Sequence, residues 1–192
     1  MGALILSKEF YMLTVKLLEE AGYNHALYGL SLSFGAPIEN MPKVANRLAH
    51  KGGGENKFLE AMIVWLEVRA PRYFWQEGDT YRLSTKQSES TMHTILKRPL
   101  TKDDFQEDEG PDGAIDPVFL AKFNEHIAEK DFRWIKRHLS ESFMQRRVWC
   151  FSYKTLQNIY YQRHEHKLPE WHAFLDQVLT QLQFPFFVVK AT

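Results

Sequence analysis

Four prolines mark where helices begin in this chain, and they constrain its architecture more than any other feature. Pro42, Pro71, Pro117 and Pro169 each stand at or near the head of a stretch with helical spacing. The ring holds φ near the helical value, and its missing N–H costs nothing in a first turn. Pro42 falls in the first turn of a short helix over 40–50, and Pro71 opens a helix carrying Tyr73 and Phe74. Asp116-Pro117 starts one broken or two consecutive helices through Leu120, Phe123, Ile127, Trp134, Ile135 and Leu139. Another helix runs from Ser152 with Tyr153, Leu156, Ile159 and Tyr160 on its apolar side. Pro169 restarts a last one with Trp171, Phe174, Leu175, Val178 and Leu182.

The remaining segments supply strands and loops. Ser7 is placed to cap a first helix through Phe10, Leu13, Leu17, Leu18 and Ala21, with Gly22 as its stop. LYGLSLSF, from Leu27 to Phe34, alternates in its second half and suits a half-buried strand. The apolar run Phe58 to Val68 ends in MIVWLEV, which favours a strand. KDDFQEDEGPDGAID, from Lys102 to Asp116, is expected as an exposed acidic loop. The expected class is α+β: a small, mostly antiparallel sheet packed by helices. With 192 residues and 44% hydrophobic content the chain can bury a full core, so one compact domain over 1–192 is expected.

Charge and cysteine usage narrow the function classes. Twenty-four basic residues balance twenty-four acidic ones, which excludes nucleic-acid or membrane-surface binding by bulk charge; any anion site must be local. The lone Cys150 forms no intrachain disulfide, and its apolar VWCF context points to an inert buried thiol. Met1 to Phe10 lacks a signal-peptide pattern, and Leu6 breaks the myristoylation pattern. A cytoplasmic protein is expected.

The chemistry concentrates in three places. From Trp75 to His93, WQEGDTYRLSTKQSESTMH sets hydroxyls and amides beside aromatics, as a pocket for a ring system and its phosphates would; a solvated Ser/Thr-rich loop is the alternative. Arg69, Arg72, Gln76 and Asp79 form a polar stripe that either lines a cleft or faces solvent. Arg163 falls four residues after Ile159 on a core-facing stripe, where a guanidinium without an acceptor costs several kcal/mol, so about that much is at stake in its partner. That partner is a ligand, an internal carboxylate, or water reached by snorkelling. Gly52 to Gly54, flanked by Lys51 and Lys57, either offers N–H groups to a phosphate or makes a flexible turn. His164, His166 and His172 lack the spacing of a zinc site.

In three ordered blocks covering roughly Leu48 to Trp171, the chain resembles the flavin-dependent thymidylate synthases, the ThyX-type enzymes. Their signature is Arg-His-Arg, seven residues, then Ser; here Thr80-Tyr81-Arg82 precedes seven residues and Ser90. Gln76 sits close to the family's upstream Gln, and Glu60-Ala61 stands where a Glu-His pair precedes an apolar strand. Downstream, Ser152-x-Lys154-x-Leu156-x-x-Ile159-x-x-x-Arg163 follows the family's Asn-x-Arg-x-Leu-x-x-Phe-x-x-x-Arg. The departures are Thr80 and Tyr81 for the first Arg and the His, Gln87-Ser88 for Asn-Glu with Glu89 one place late, and Met92-His93 for Arg-Tyr.

The resemblance implies a short, divergent member of the kind found in bacteriophages, in the host cytoplasm if viral. It implies transfer of a one-carbon unit from methylenetetrahydrofolate to C5 of dUMP, with FAD as hydride donor and NADPH recharging it. Arg163 and Arg82 would be catalytic. Gln76, Gln87, Ser88, Glu89, Ser90 and Arg72 would meet the substrate; Thr80, Tyr81, Arg82, Ser84 and Glu60 would meet the flavin. The product would be methyl or hydroxymethyl and the working form a homotetramer, with no nucleic-acid or membrane partner. The substitutions at Thr80 and Tyr81 motivate an alternative, a protein of this fold whose flavin site has decayed and which binds a nucleotide or another protein without catalysis.

Overall fold

A glycine that tolerates no side chain joins the first strand to the first helix. Gly22 has φ 94°, and a Cβ built on it would lie 2.0 Å from the carbonyl oxygen of Ala61. The computed structural model describes residues 13–107 and 113–190, so Ser7 and Phe10 of the expected first helix lie outside it. Over the rest of that segment the chain is a strand, β1 (Thr14–Ala21), not a helix. Leu13 and Val15 are buried at a period of two. The helical preference of TVKLLEEA is overridden because side chains of a late helix, α8 (Pro169–Gln181), occupy the strand's free edge. Val15 and Leu17 donate backbone N–H bonds to the amide oxygens of Gln177 and Gln181, each at 2.9 Å, and Gln181 Nε2 donates to the Val15 carbonyl at 3.0 Å. Satisfied in this way, the edge is closed to further pairing.

LYGLSLSF, expected as a strand, lies within helix α1 (Tyr23–Phe34). Ala26, Leu27, Leu30 and Ser31 form its buried stripe, while Tyr28, Leu32 and Phe34 are exposed. These outward apolar residues create the alternation that mimics a strand.

The sheet has four strands in the order β1-β2-β4-β3, with β2 (Ile63–Pro71), β3 (Ser84–Ser88) and β4 (Met144–Ser152). The Tyr153 N–H donates to the Met62 carbonyl at 2.8 Å and the Arg72 N–H to the Phe143 carbonyl at 3.1 Å. Both bonds belong to one antiparallel register of β2 on β4. Val64, Leu66, Val68 and Ala70 have no exposed surface, whereas Ile63, Trp65, Glu67 and Arg69 on the opposite face are half-buried. The MIVWLEV strand and the helices expected at Pro42, Pro71, Pro117, Ser152 and Pro169 all form, as α2 (Met41–Leu48), α3 (Arg72–Gly78), α5 (Pro117–Ala128) with α6 (Phe132–His138), α7 (Tyr153–Arg163) and α8. Asp116 and Ser152 accept the capping N–H bonds of α5 and α7. The α+β class with a small antiparallel sheet therefore holds.

The chain divides into two compact units. The first comprises Val15–Val68, Tyr81–Gln87 and the described residues from Val148 onward. In it, Leu156 and Ile159 of α7 and Trp171, Phe174 and Val178 of α8 are buried, as are Trp149 and Phe151 of β4. Trp149 stacks on Phe174 at 5.5 Å. The second comprises Arg69–Thr80, the described residues of Ser88–Arg147, and those before Val15. Its core joins Ile95, Leu100, Phe105, Phe123, Ile127, Ile135, Leu139 and Phe143. The acidic loop is exposed at Lys102 and Asp103 but buried at Phe105 and Gln106: an aromatic inside a charged tract packs against Phe143, with ring centroids 5.8 Å apart.

Just before Phe105, Asp104 closes a short helical turn. Arg98 donates to both its carboxylate oxygens, at 2.5 and 2.7 Å, and the Thr101 N–H donates at 2.8 Å. Burial acts to raise this carboxyl, and the bonds from Arg98 and Thr101 outweigh it, so Asp104 titrates below the usual carboxylate range. A depressed carboxyl contributes stability that is present above its unfolded value, about 4, and is lost as pH falls through the lower folded value. Melting temperatures should therefore fall more steeply below about pH 4 in the wild type than in Asp104→Asn. Parallel acid limbs would refute the coupling.

Candidate functional site

In the first unit the chemistry gathers around Tyr81. Buried against Trp149 and Trp171, its hydroxyl donates to Gln162 Oε1 at 3.1 Å and accepts from Arg163 Nε at 2.8 Å. The Arg163 guanidinium, half-buried at the end of α7, lies 4.9 Å from the centre of the Trp171 ring and 5.7 Å from that of Tyr81. The cation anticipated on the inward stripe thus meets two π faces and a phenol oxygen. Ser84 Oγ donates to the Tyr81 carbonyl at 2.6 Å, and Lys86 Nζ donates to Ser84 Oγ at 2.9 Å while lying 5.0 Å from the Trp149 ring centre. Thr155 Oγ1 donates to the Leu83 carbonyl at 3.2 Å. The first half of the hydroxyl-rich tract is therefore stitched to α7. Arg82 and Gln87 are exposed, as is Glu60 ahead of β2.

Lys154, at the position of a family arginine, donates to Asn56 Oδ1 at 2.8 Å in a buried network with Gln157 and the Ala49 carbonyl. Burial raises the Cys150 thiol, although the residue is half-buried rather than enclosed. Burial, then the contact with Glu20, raises the Tyr153 phenol as well. Among the described residues no group of three or more His, Cys, Asp or Glu is placed to hold a metal.

In the second unit, α3 presents Arg72, Gln76 and Asp79 of the expected stripe to a cavity of about 300 Å³ that Thr91, Lys136 and Arg147 also line, whereas Arg69 belongs to β2 and lies outside that lining. Arg72 donates to the Leu139 carbonyl at 2.7 Å and lies 3.4 Å from Glu141, whose other oxygen accepts from Gln76 at 2.8 Å. Asp79 accepts twice from Arg147, at 2.9 and 3.1 Å, and the Arg147 guanidinium sits 4.4 Å from the Trp75 ring centre. Lys136 Nζ donates to Thr91 Oγ1 at 2.6 Å. Arg147 Nε is buried without a hydrogen-bond partner among the described residues. Such a donor costs about 1–3 kcal/mol unless something accepts from it. Sequence reading missed Lys136, Thr91 and Arg147. The Arg146-Arg147 doublet inside a strand is the signal that could have found the last, since alternation must send one arginine to each face.

Ser90 precedes α4 (Thr91–Thr94), and its carbonyl accepts from the backbone N–H groups of His93 and Thr94. Ser88 is exposed. The Glu89 N–H donates to the Arg146 carbonyl at 2.8 Å. Thr80 Oγ1 turns back to donate to the Glu77 carbonyl at 2.6 Å.

No protein-family model matches the chain, and no curated protein matches its sequence. Solved structures do match. Thymidylate synthase X from Helicobacter pylori, solved with FAD and dUMP, aligns at 15% identity with a TM-score of 0.72 over 93% of this chain and 97% of that one. The fold is that of ThyX. A second structure of the Helicobacter pylori enzyme with FAD and dUMP aligns at 14% identity and a TM-score of 0.73, over 92% of this chain and 97% of that one. The UMP/dUMP methylase PolB from Streptomyces cacaoi, bound with 5-Br dUMP, aligns at 12% and 0.63 over 88% of each chain.

Within that ThyX fold, the segment assigned to flavin by resemblance hydrogen-bonds within its own chain. Thr80 and Tyr81 spend their hydroxyls on Glu77, Gln162 and Arg163, and Tyr81 is buried. Of the three signature positions, Thr80 and Arg82 are exposed. Among the described residues no helix is long and apolar enough to cross a membrane.

Proposed function

We propose that the chain binds dUMP and carries out one-carbon transfer from methylenetetrahydrofolate to its C5, as a thymidylate synthase or a related pyrimidine C5 hydroxymethylase. FAD and NADPH are the redox partners of this reading, and a homotetramer its working form. The observation that carries it is the cavity of the second unit, where the three cations Arg72, Lys136 and Arg147 converge on a space lined by one carboxylate, that of Asp79. A nucleotide phosphate is an anionic acceptor for them, and each charge-assisted bond to it contributes roughly 1.5–3 kcal/mol. Asp79 and Trp75 hold Arg147 from two sides, Thr91 steadies Lys136, and Glu141 aligns Arg72 with Gln76, so these groups are positioned before a ligand arrives. Agreement of fold over nearly the whole length of a dUMP-bound enzyme, in two structures of it, supports the same reading.

The departures at Thr80 and Tyr81, whose hydroxyls bond within the chain, favour a second reading, a non-catalytic nucleotide-binding or protein-interaction module. One sample separates the two. At about a hundredfold excess over Kd, dUMP should stabilise the protein by about 2.7 kcal/mol, a rise of roughly 5–10 °C in melting temperature, and Lys136→Ala should remove most of it. A flavin absorption band, as purified or after FAD is added, favours the enzyme. A colourless protein that dUMP still stabilises favours the module, and no response to dUMP defeats both.

A further inference from the structure

Arg69 and Arg146 face each other across the sheet. In the register set by the Arg72 to Phe143 bond, Arg69 of β2 lies directly opposite Arg146 of β4. The position falls between hydrogen-bonded pairs, where facing side chains come closest. The Glu89 N–H donates to the Arg146 carbonyl on the other side, so the order across the sheet is Arg69, Arg146, Glu89. Like charges directly opposed destabilise a sheet unless an opposite charge sits between them.

The row opens into a cleft of about 450 Å³ whose charged lining is Arg69, Lys97, Arg98 and Arg146 against Glu89 and Asp104. Asp104 is committed to Arg98 through both oxygens. Glu89 comes no nearer than 4.0 Å to Arg146 Nε, and Arg69 donates through one nitrogen to the Asp103 carbonyl. Four cations against two carboxylates thus leave the lining with a net charge of +2. Thr91 and Thr94 supply hydroxyls, and Ile95, Leu100, Phe143 and Met144 line the same cleft with apolar surface. Its size lies within the range of small-ligand pockets. Arg147, the next residue of the strand, points to the opposite face and into the cavity assigned to dUMP.

We propose that this cleft is a second anion site, which takes the dianion of a phosphomonoester between Arg69 and Arg146. A dianion matches the two unbalanced charges, and the planar forks of facing arginines suit phosphate oxygens. The inference stands independently of the reaction proposed above, because it uses the other face of β4.

Calorimetric titration of the full chain with inorganic phosphate, and separately with ribose 5-phosphate, tests it. Both should bind the wild type, and Arg146→Glu should weaken each at least tenfold while Lys136→Ala leaves this binding event unchanged. Tighter binding of the sugar phosphate identifies an organic ester as the ligand; equal affinities identify free phosphate. If Arg146→Glu does not fold, Arg69→Gln carries the same expectation of weakened binding. No phosphate binding to the wild type, equal binding to the Arg146 or Arg69 variant, or loss only in Lys136→Ala overturns the proposal.

Discussion

An Arg163→Ala chain is expected to lose dUMP affinity by about a hundredfold or more in calorimetry while keeping its far-ultraviolet circular dichroism. The expectation rests on the homotetramer reading, in which one subunit's Arg163 meets the uracil of dUMP held in another subunit's cavity of Arg72 and Lys136. One charge-assisted contact to a nucleotide is worth roughly 1.5–3 kcal/mol, and a hundredfold corresponds to about 2.7 kcal/mol. The guanidinium also seats Tyr81, so the variant alone conflates ligand contact with local packing. Tyr81→Phe separates them: it removes the phenol oxygen but leaves the cation between two rings. A fewfold effect in Tyr81→Phe beside a hundredfold effect in Arg163→Ala assigns the contact to the guanidinium. Unchanged affinity in Arg163→Ala refutes its role, whatever Tyr81→Phe does.

Gly22→Ala should destabilise the protein on the order of 3 kcal/mol or more. A left-handed backbone costs an L-residue roughly 1–2 kcal/mol. The added methyl would also stand 2.0 Å from the Ala61 carbonyl, a backbone atom that no rotamer change can move. For a chain of this length that amounts to a fall of roughly 6–12 °C in melting temperature by scanning calorimetry. A fall within about 2 °C would mean that the β1–α1 junction adopts another conformation.

These two positions differ in how far they could be read in advance. Arg163 was visible because an apolar stripe at helical spacing leaves a cation nowhere neutral to go. Gly22 was legible as a stop signal, but its element was misassigned: Leu13, Leu17 and Leu18 satisfy a helix as well as Leu13, Val15 and Leu17 satisfy a strand. The amides of Gln177 and Gln181 decide between them from more than 150 residues away. The alternation of LYGLSLSF misled for the opposite reason, because Leu32 and Phe34 lie outside the core. Of the Trp75 to His93 tract, the sequence showed polar density beside aromatics but not that Tyr81 is buried or that the hydroxyls of Thr80 and Ser84 bond back to the chain.

What the amino-acid order determined by itself is local: helix starts at proline and capping residues, the β2 strand, and the absence of bulk charge for a polyanion. These follow from backbone sterics and from neighbours within one or two turns. Only the tertiary structure decided that Arg147 leaves a buried N–H in a cavity with Lys136, that Arg69 faces Arg146, and that Arg163 meets Tyr81 and Trp171. Those pairings join residues about 80 positions apart in some cases and depend on strand register and helix docking, which the summed burial of the whole core sets.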